Sequence, residues 1–169
     1  MKKYKLVIFD RDNTLVKDAS GYLHKVEELE WFEGVLELLQ QIHNAGIKIA
    51  IATNQSGVAR GLYDESDVLN LHAYMNSTKG AQGVIDLFRY CPHHPQGLRE
   101  EYAIKCFCRK PEPGMILDIL KELDIQEKDC IIFGDSESDC LAGSNAGIES
   151  VFVNPGDIVK SVRMRLGAL

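Results

Sequence analysis

The chain has 169 residues, 45% hydrophobic and 26% charged, with a formal net charge of −6. Its length suits one domain with a full apolar core, in ordinary soluble proportions, so residues 1–169 are read as a single domain. The acidic balance argues against a nucleic-acid-binding module, whose footprint is a basic stripe, yet it allows a small anionic substrate held by local cations.

The chain begins MKKYKLVIFD, where lysines precede an apolar run that stops at Asp10. That run is too short for a signal-peptide core, and no window approaches a membrane span. A cytosolic monomer without membrane contact is therefore expected. Residues 4–9 read as a buried parallel strand. Val35, Leu38, Leu39 and Ile42 keep helical spacing, and Gly46 suits the end of that helix. Residues 47–52 form a second strand. Val68, Leu71, His72 and Met75 mark a second helix, and residues 86–90 a third strand.

A long loop follows, then a helix opened by Pro113 with Ile116, Ile119, Leu120 and Leu123 on its apolar face. Residues 130–133 are a fourth strand, residues 139–146 a short helix ended by Gly147, and residues 150–153 a fifth strand. Only a short helix is expected within 155–169. Strands alternating with helices imply an α/β fold, a Rossmann-like parallel sheet with helices on both faces. In such sheets ligands bind beyond the carboxyl ends of the strands. The polar groups there should therefore converge.

After the first strand come Asp10 and Asp12, which point the same way if the chain stays extended. Two such carboxylates can divide labour, one attacking and the other moving protons, although Asp and Asn also favour plain turns. Asp135 and Asp139 follow the fourth strand. With Asp10 they offer oxygen ligands to a hard cation such as magnesium, or else cap the next helix. A carboxylate meets a phosphate charge at 4 Å with roughly 4 kcal/mol of repulsion at an effective dielectric near 20, which a bridging magnesium removes. Thr53 offers a hydroxyl, and Lys110 a permanent cation at a probable helix start.

The loop holds three of the chain's five cysteines. In a cytosolic chain, clustered cysteines point to a metal or reactive thiols before a disulfide framework. Cys91, Cys106 and Cys108 with His93 or the adjacent His94 match a closed tetrahedral zinc set with no open position, hence a structural site. Cys130 and Cys140 lie in apolar settings and read as buried small residues.

DRDNT from Asp10, Thr53-Asn-Gln, Lys110-Pro and Gly-Asp135 with Asp139 resemble, in order, the four motifs of haloacid-dehalogenase-like phosphatases. TNQSGVARG from Thr53, CPHHPQG from Cys91 and CFCRKP from Cys106 look like stretches of the D-glycero-D-manno-heptose 1,7-bisphosphate phosphatase family, a pattern shared in part by histidinol phosphatases. The resemblance implies a capless fold and a magnesium-dependent enzyme. Asp10 would be the nucleophile, Asp12 the acid and base, and Thr53 and Lys110 the phosphoryl clamps. Magnesium would bind Asp10, the Asp12 carbonyl and Asp135, with Asp139 supporting it. Arg11, Asn54, Gln55, Ser56, Arg109 and the loop of Asp18, Ala19, Ser20 and Gly21 would meet a sugar phosphate, and zinc would take His93.

The implied reaction removes one phosphate from a heptose 1,7-bisphosphate on a route to nucleotide-activated heptose for surface polysaccharide. Histidinol phosphate or another small phosphomonoester is the same-class alternative; a non-catalytic zinc-stabilised binding module is the alternative of another class. Three departures stand out. Asn13 replaces a glycine and should keep its positive φ, being the non-glycine residue best suited to it. Ser136 stands where a basic residue is usual, which removes one phosphate contact. The loop between Asp12 and Tyr22 is slightly longer than usual, beside the leaving group.

Overall fold

The structure, a computed structural model, describes residues 4–167; residues 1–3 and 168–169, the ends of the expected domain, lie outside them. The first strand, β1 (Leu6–Phe9), is buried along its whole length and serves two cores at once. Val7 and Phe9 pack into one hydrophobic cluster, Leu6 and Ile8 into another. This is the period-2 alternation of a strand covered on both faces.

The remaining elements follow in chain order: α1 (Val35–Asn44), β2 (Lys48–Asn54), α2 (Glu65–Met75), β3 (Leu87–Cys91), α3 (Gly114–Leu123), β4 (Cys130–Gly134), α4 (Glu137–Asn145), β5 (Glu149–Phe152) and α5 (Ile158–Leu166). The five strands form one sheet in the order β3-β2-β1-β4-β5, all pairs parallel. The strand order reverses at β1, so the crevice for a ligand opens above its carboxyl end. Buried residues of α1 and α5, with Leu71 and Met75 of α2, cover one face. Met115, Ile116, Ile119 and Leu120 of α3 and Ala142 of α4 cover the other. The fold is the expected Rossmann-like α/β sheet, and no further domain is inserted among the described residues. No helix among them is long and apolar enough to cross a membrane.

Several element ends differ from the sequence reading. β3 runs on to Cys91, so the metal loop starts inside the sheet. Pro113 sits at the N-cap of α3, one residue before its first turn. The last helix is longer than expected because Ile158 and Val162, one turn apart, both bury against the core. Cys130 is buried as expected, whereas Cys140, on α4, is only half-buried.

Candidate active site

Asp10 is the first residue beyond β1, and its amide donates to the Phe133 carbonyl at 2.9 Å, which fixes it to the neighbouring strand end. The chain then turns sharply. The amides of Leu15 and Val16 donate to the Arg11 carbonyl, and Asn13 takes φ 58°. The glycine-like turn expected of Asn13 is present. Its side chain also braces the next loop: Oδ1 accepts from the Asp18 amide (3.1 Å) and Nδ2 donates to the Asp18 carbonyl (3.4 Å).

A pocket of about 220 Å³ lies over this turn, lined among others by Asp10, Asp12, Thr53, Lys110, Asp135 and Asp139. Residues from three strand ends, and Lys110 from the loop before α3, thus meet there. Lys110 Nζ is buried and held from three sides, by Asp10 Oδ1 (2.7 Å), the Ala52 carbonyl (2.6 Å) and Asp139 Oδ1 (2.5 Å). Its backbone is gripped by Asn54, which accepts from the Lys110 amide and donates to its carbonyl, both at 3.0 Å. Burial alone would lower the Lys110 ammonium, but the Asp10 and Asp139 carboxylates outweigh it and raise it further. Lys110 is therefore a permanent cation.

Asp139 fits beneath this group only because residue 134 is glycine: a Cβ there would lie 2.3 Å from the Asp139 carboxylate carbon. Its other oxygen, Oδ2, accepts from the Ser136 amide (3.0 Å) and hydroxyl (2.6 Å), closing a capping box at the start of α4. Ser136 is thus a helix cap on the pocket rim as well as a departure from the family pattern.

One oxygen each from Asp10, Asp135 and Asp139 lies within 4.8 Å of the other two. Five aspartates line the pocket; Arg11 pairs with Asp12, and Lys110 is the one ammonium that touches Asp10 and Asp139. Burial and the neighbouring Asp139 and Asp12 charges push Asp10 up to about 8 against the pull of Lys110, and burial with Asp139 also raises Asp135. One ammonium cannot neutralise such a cluster. A hard divalent cation suits both its oxygen donors and its excess charge. Asp12 lies outside that carboxylate group. This agrees with a metal contact through its backbone, leaving its side chain for other work.

The second cluster is made of sulfur and nitrogen. Cys91, Cys106 and Cys108 place their Sγ atoms 3.1 to 3.5 Å apart, and His93 Nδ1 lies 3.7 Å from Cys91 and 3.4 Å from Cys108. Four donors at about 2.3 Å from one tetrahedral zinc would stand about 3.8 Å apart, so the set fits zinc after slight expansion. The close contacts with Cys91, His93 and Cys106 lower the Cys108 thiol, while the contact with Cys108 and burial raise that of Cys91, so the trio shares its protons unevenly. His94 faces elsewhere, with Nε2 3.3 Å from Arg60 and Nδ1 accepting from the Gln96 amide. The cluster thus includes His93 and not His94.

The substrate-contact set divides. Asn54, Asp18 and Gly21 line the pocket. Ala19 and Ser20 line a separate depression with Lys17 and Glu30. Arg109 donates to the His93 carbonyl (3.3 Å) and lines an adjoining pocket with His94 and Lys105. Ser56 is half-buried and Gln55 almost wholly buried, and neither is among the residues lining the pocket. Arg11 differs most from expectation. It is fully buried and turned away from the pocket, donating to both Asp12 oxygens (2.8 and 3.0 Å), the Leu23 carbonyl (2.7 Å) and His72 Nε2 (3.2 Å). A guanidinium has no water in that position, so it must spend its donors on protein groups. His72, read only as a helix-face residue, is its buried acceptor.

Residues 107–161 match the HAD-hydrolase-like family model. The chain is 41% identical over 154 residues to D-glycero-beta-D-manno-heptose-1,7-bisphosphate 7-phosphatase of Pasteurella multocida, covering 90% of this chain and 83% of that one. It is 39% identical over 153 residues to D-glycero-alpha-D-manno-heptose-1,7-bisphosphate 7-phosphatase of Photorhabdus laumondii, covering 89% and 82%. It superposes on the crystal structure of D,D-heptose 1,7-bisphosphate phosphatase from B. bronchiseptica, complexed with magnesium and phosphate, with TM-score 0.79 and 31% identity, covering 98% and 88%. With its strand-end carboxylates, buried lysine and fold all in agreement, the chain belongs to the D-glycero-D-manno-heptose 1,7-bisphosphate 7-phosphatase family of haloacid-dehalogenase-like hydrolases and is a phosphomonoester hydrolase.

Proposed function

We propose that this enzyme removes one phosphate from a heptose 1,7-bisphosphate through an aspartyl-phosphate, supplying a precursor of nucleotide-activated heptose. The observation that carries the reading is Asp10. Its carboxylate stands at the carboxyl end of the central strand, 2.7 Å from Lys110 Nζ, in a pocket shared with Asp12, Thr53 and Asp135. An Asp10 oxygen attacks phosphorus. The bond from phosphorus to the sugar oxygen breaks, and that oxygen takes a proton from the Asp12 carboxyl. Asp12, now a carboxylate, takes a proton from water, whose oxygen attacks the aspartyl-phosphate and releases phosphate and Asp10. Lys110 and the Thr53 hydroxyl hold the phosphoryl oxygens throughout.

Asp10, Asp135 and the Asp12 carbonyl would hold magnesium, which neutralises the carboxylate cluster and the charge that builds up on the phosphoryl group. Asp139 would support it while keeping Lys110 in place. Cys91, His93, Cys106 and Cys108 would hold a structural zinc. Lys110 lines both the acidic pocket and the adjoining one formed by Arg109, His94 and Lys105. A substrate with two phosphates has a cationic place for each, which favours a bisphosphate over a simple ester.

The test is phosphate release with magnesium from α- and β-heptose 1,7-bisphosphate, fructose bisphosphate and histidinol phosphate. The expected result is a kcat/KM for one heptose anomer well above the others. A clear preference for histidinol phosphate would overturn the heptose assignment and leave the phosphatase chemistry intact.

A further inference from the structure

Gln55 is 2% exposed, yet it sits between two groups of the reaction. Its Nε2 donates to Asp12 Oδ2 and to Thr53 Oγ1, both at 2.9 Å, and its Oε1 accepts from the Tyr63 hydroxyl at 2.7 Å. The amide orientation follows from chemistry. A carboxylate only accepts, so the nitrogen must face Asp12, and the oxygen is left for Tyr63. Tyr63 is itself buried, stacked on His24 at 4.7 Å between ring centroids. Its ring has room only because residue 57 is glycine: a Cβ there would lie 2.0 Å from the ring. Two glycine-dependent close approaches therefore serve this site, one for Asp139 and one for Tyr63.

We infer that Gln55 and Tyr63 are positioning residues: Tyr63 locks the Gln55 amide, and that amide sets both the Asp12 carboxylate and the Thr53 hydroxyl. Oδ2 of Asp12 already accepts from Arg11 Nη2 and Gln55, while Oδ1 accepts from Arg11 Nε. The spare acceptor capacity lies on Oδ1, which assigns it the proton passed to the sugar oxygen. Thr53 Oγ1 spends a lone pair on Gln55, which leaves its hydrogen to donate to a phosphoryl oxygen. Tyr63 reaches no pocket-lining residue through these bonds except by way of Gln55, and it does not line the pocket itself. A loss on removing its hydroxyl would therefore report on positioning and not on substrate contact.

The inference rests on Asp12 as the acid and base, and the experiment separates the two claims. Tyr63→Phe, Gln55→Met and Asp12→Asn are compared with wild type on heptose 1,7-bisphosphate and on 4-nitrophenyl phosphate, whose leaving group needs no proton. Tyr63→Phe should lower kcat on the bisphosphate about tenfold with KM unchanged, the equivalent of one hydrogen bond. Gln55→Met, losing two donors, should lower it about a hundredfold. With 4-nitrophenyl phosphate, Tyr63→Phe should slow the first nitrophenolate release less than the later turnovers, because Thr53 serves both steps while only the water step still needs Asp12. If Tyr63→Phe matches wild type on both substrates, positioning is overturned; if its first turnover falls as much as its steady rate, the positioning of Asp12 is overturned. A rise in KM confined to Gln55→Met would make Gln55 a substrate contact instead. Should Gln55→Met fail to fold, Tyr63→Phe decides alone. Full bisphosphate turnover in Asp12→Asn would remove Asp12 from the chemistry, a different failure.

Discussion

The acidic pocket and the sulfur cluster both bring ligand atoms within 4.8 Å of one another, and they are built in opposite ways. The pocket takes Asp10 from the end of β1 and Asp135 and Asp139 from beyond β4, all fixed by a sheet that is buried on both faces. The cluster takes two close pairs, Cys91 with His93 and Cys106 with Cys108, from one long loop and the strand end that feeds it. In the pocket the core supplies the geometry, and a bound cation would add charge. In the loop a bound ion would supply the geometry. Loss of a ligand should therefore harm activity in the first region and stability in the second.

The largest effect expected is that of Asp10→Asn. It should lower phosphate release by at least about 10⁴-fold, as loss of a nucleophile does. Lys110 keeps Asp139 and the Ala52 carbonyl as partners, so the melting temperature should shift by less than about 4 °C, roughly 1 kcal/mol for a chain of this size. A large fall in melting temperature would show that the pocket also holds the fold together, and the contrast would fail.

Cys108→Ser should do the reverse. Loss of a metal ligand belongs to the class of large destabilisations, at least about 3 kcal/mol, seen as a melting temperature lower by some 6 to 12 °C. Well below that melting point, turnover should stay within about tenfold of wild type. The reason is that Lys110 is tied to Asn54, Asp10 and Ala52 as well as to the loop. A folded, zinc-free variant with no turnover would make the sulfur site part of the chemistry. Zinc content by emission spectroscopy and a thermal melt settle the two halves.

Acid should reveal a third difference, behind the pocket. His72 is held down, to about 3, first by burial and then by the Arg11 guanidinium that its Nε2 faces. Phe88 stacks on its ring at 4.7 Å and Tyr90 meets it edge-on at 5.9 Å, so no carboxylate on these neighbours offers its proton a home. The folded value lies below the unfolded one. The contribution of neutral His72 is thus complete above about pH 6.5 and is lost as pH falls toward 3, about 2 kcal/mol of it by pH 5. Wild type should lose that much more unfolding free energy between pH 7 and 5 than His72→Gln, whose amide oxygen can still accept from Arg11. Acid would loosen a zinc at the sulfur cluster equally in both proteins, so the difference between them isolates His72.

The ten main elements and the strand-end carboxylates were legible because each rests on local signals: period, caps and polar residues where a strand must stop. The Cys/His cluster was legible by donor type, and only the placing of His93 in it over His94 needed coordinates. Arg11, Gln55 and Tyr63 were not legible in their roles. Arg11 and Gln55 sit among polar residues that line such pockets, and nothing local tells whether a side chain turns inward. Tyr63 lies beside a glycine-rich turn, and its partner on Gln55 exists only once the chain beyond β2 has folded back. Side chains that act on other side chains leave no periodic mark in a sequence.

The smallest effect expected is at Asn13, and it separates backbone from side chain. Asn13→Gly keeps the φ of 58° without strain, so the turn that aims Asp10 and Asp12 should survive. What disappears is the pair of bonds to the Asp18 backbone, and with it part of the hold on the loop that brings Asp18 and Gly21 to the pocket. Stability should fall by no more than about 1 kcal/mol, with KM for the bisphosphate raised two- to threefold at unchanged kcat, on the order of 0.5 kcal/mol of binding. Asn13→Ala loses the same bonds and, unlike the glycine variant, keeps a Cβ at positive φ without the polar side chain that eases it, a strain on the order of 1 to 2 kcal/mol relative to glycine. If glycine and alanine behave alike, the side-chain ties to Asp18 matter and the turn does not. If only alanine lowers kcat, the turn itself aims the carboxylates, and the pocket owes its geometry to the backbone as the sulfur cluster would owe its own to a bound ion.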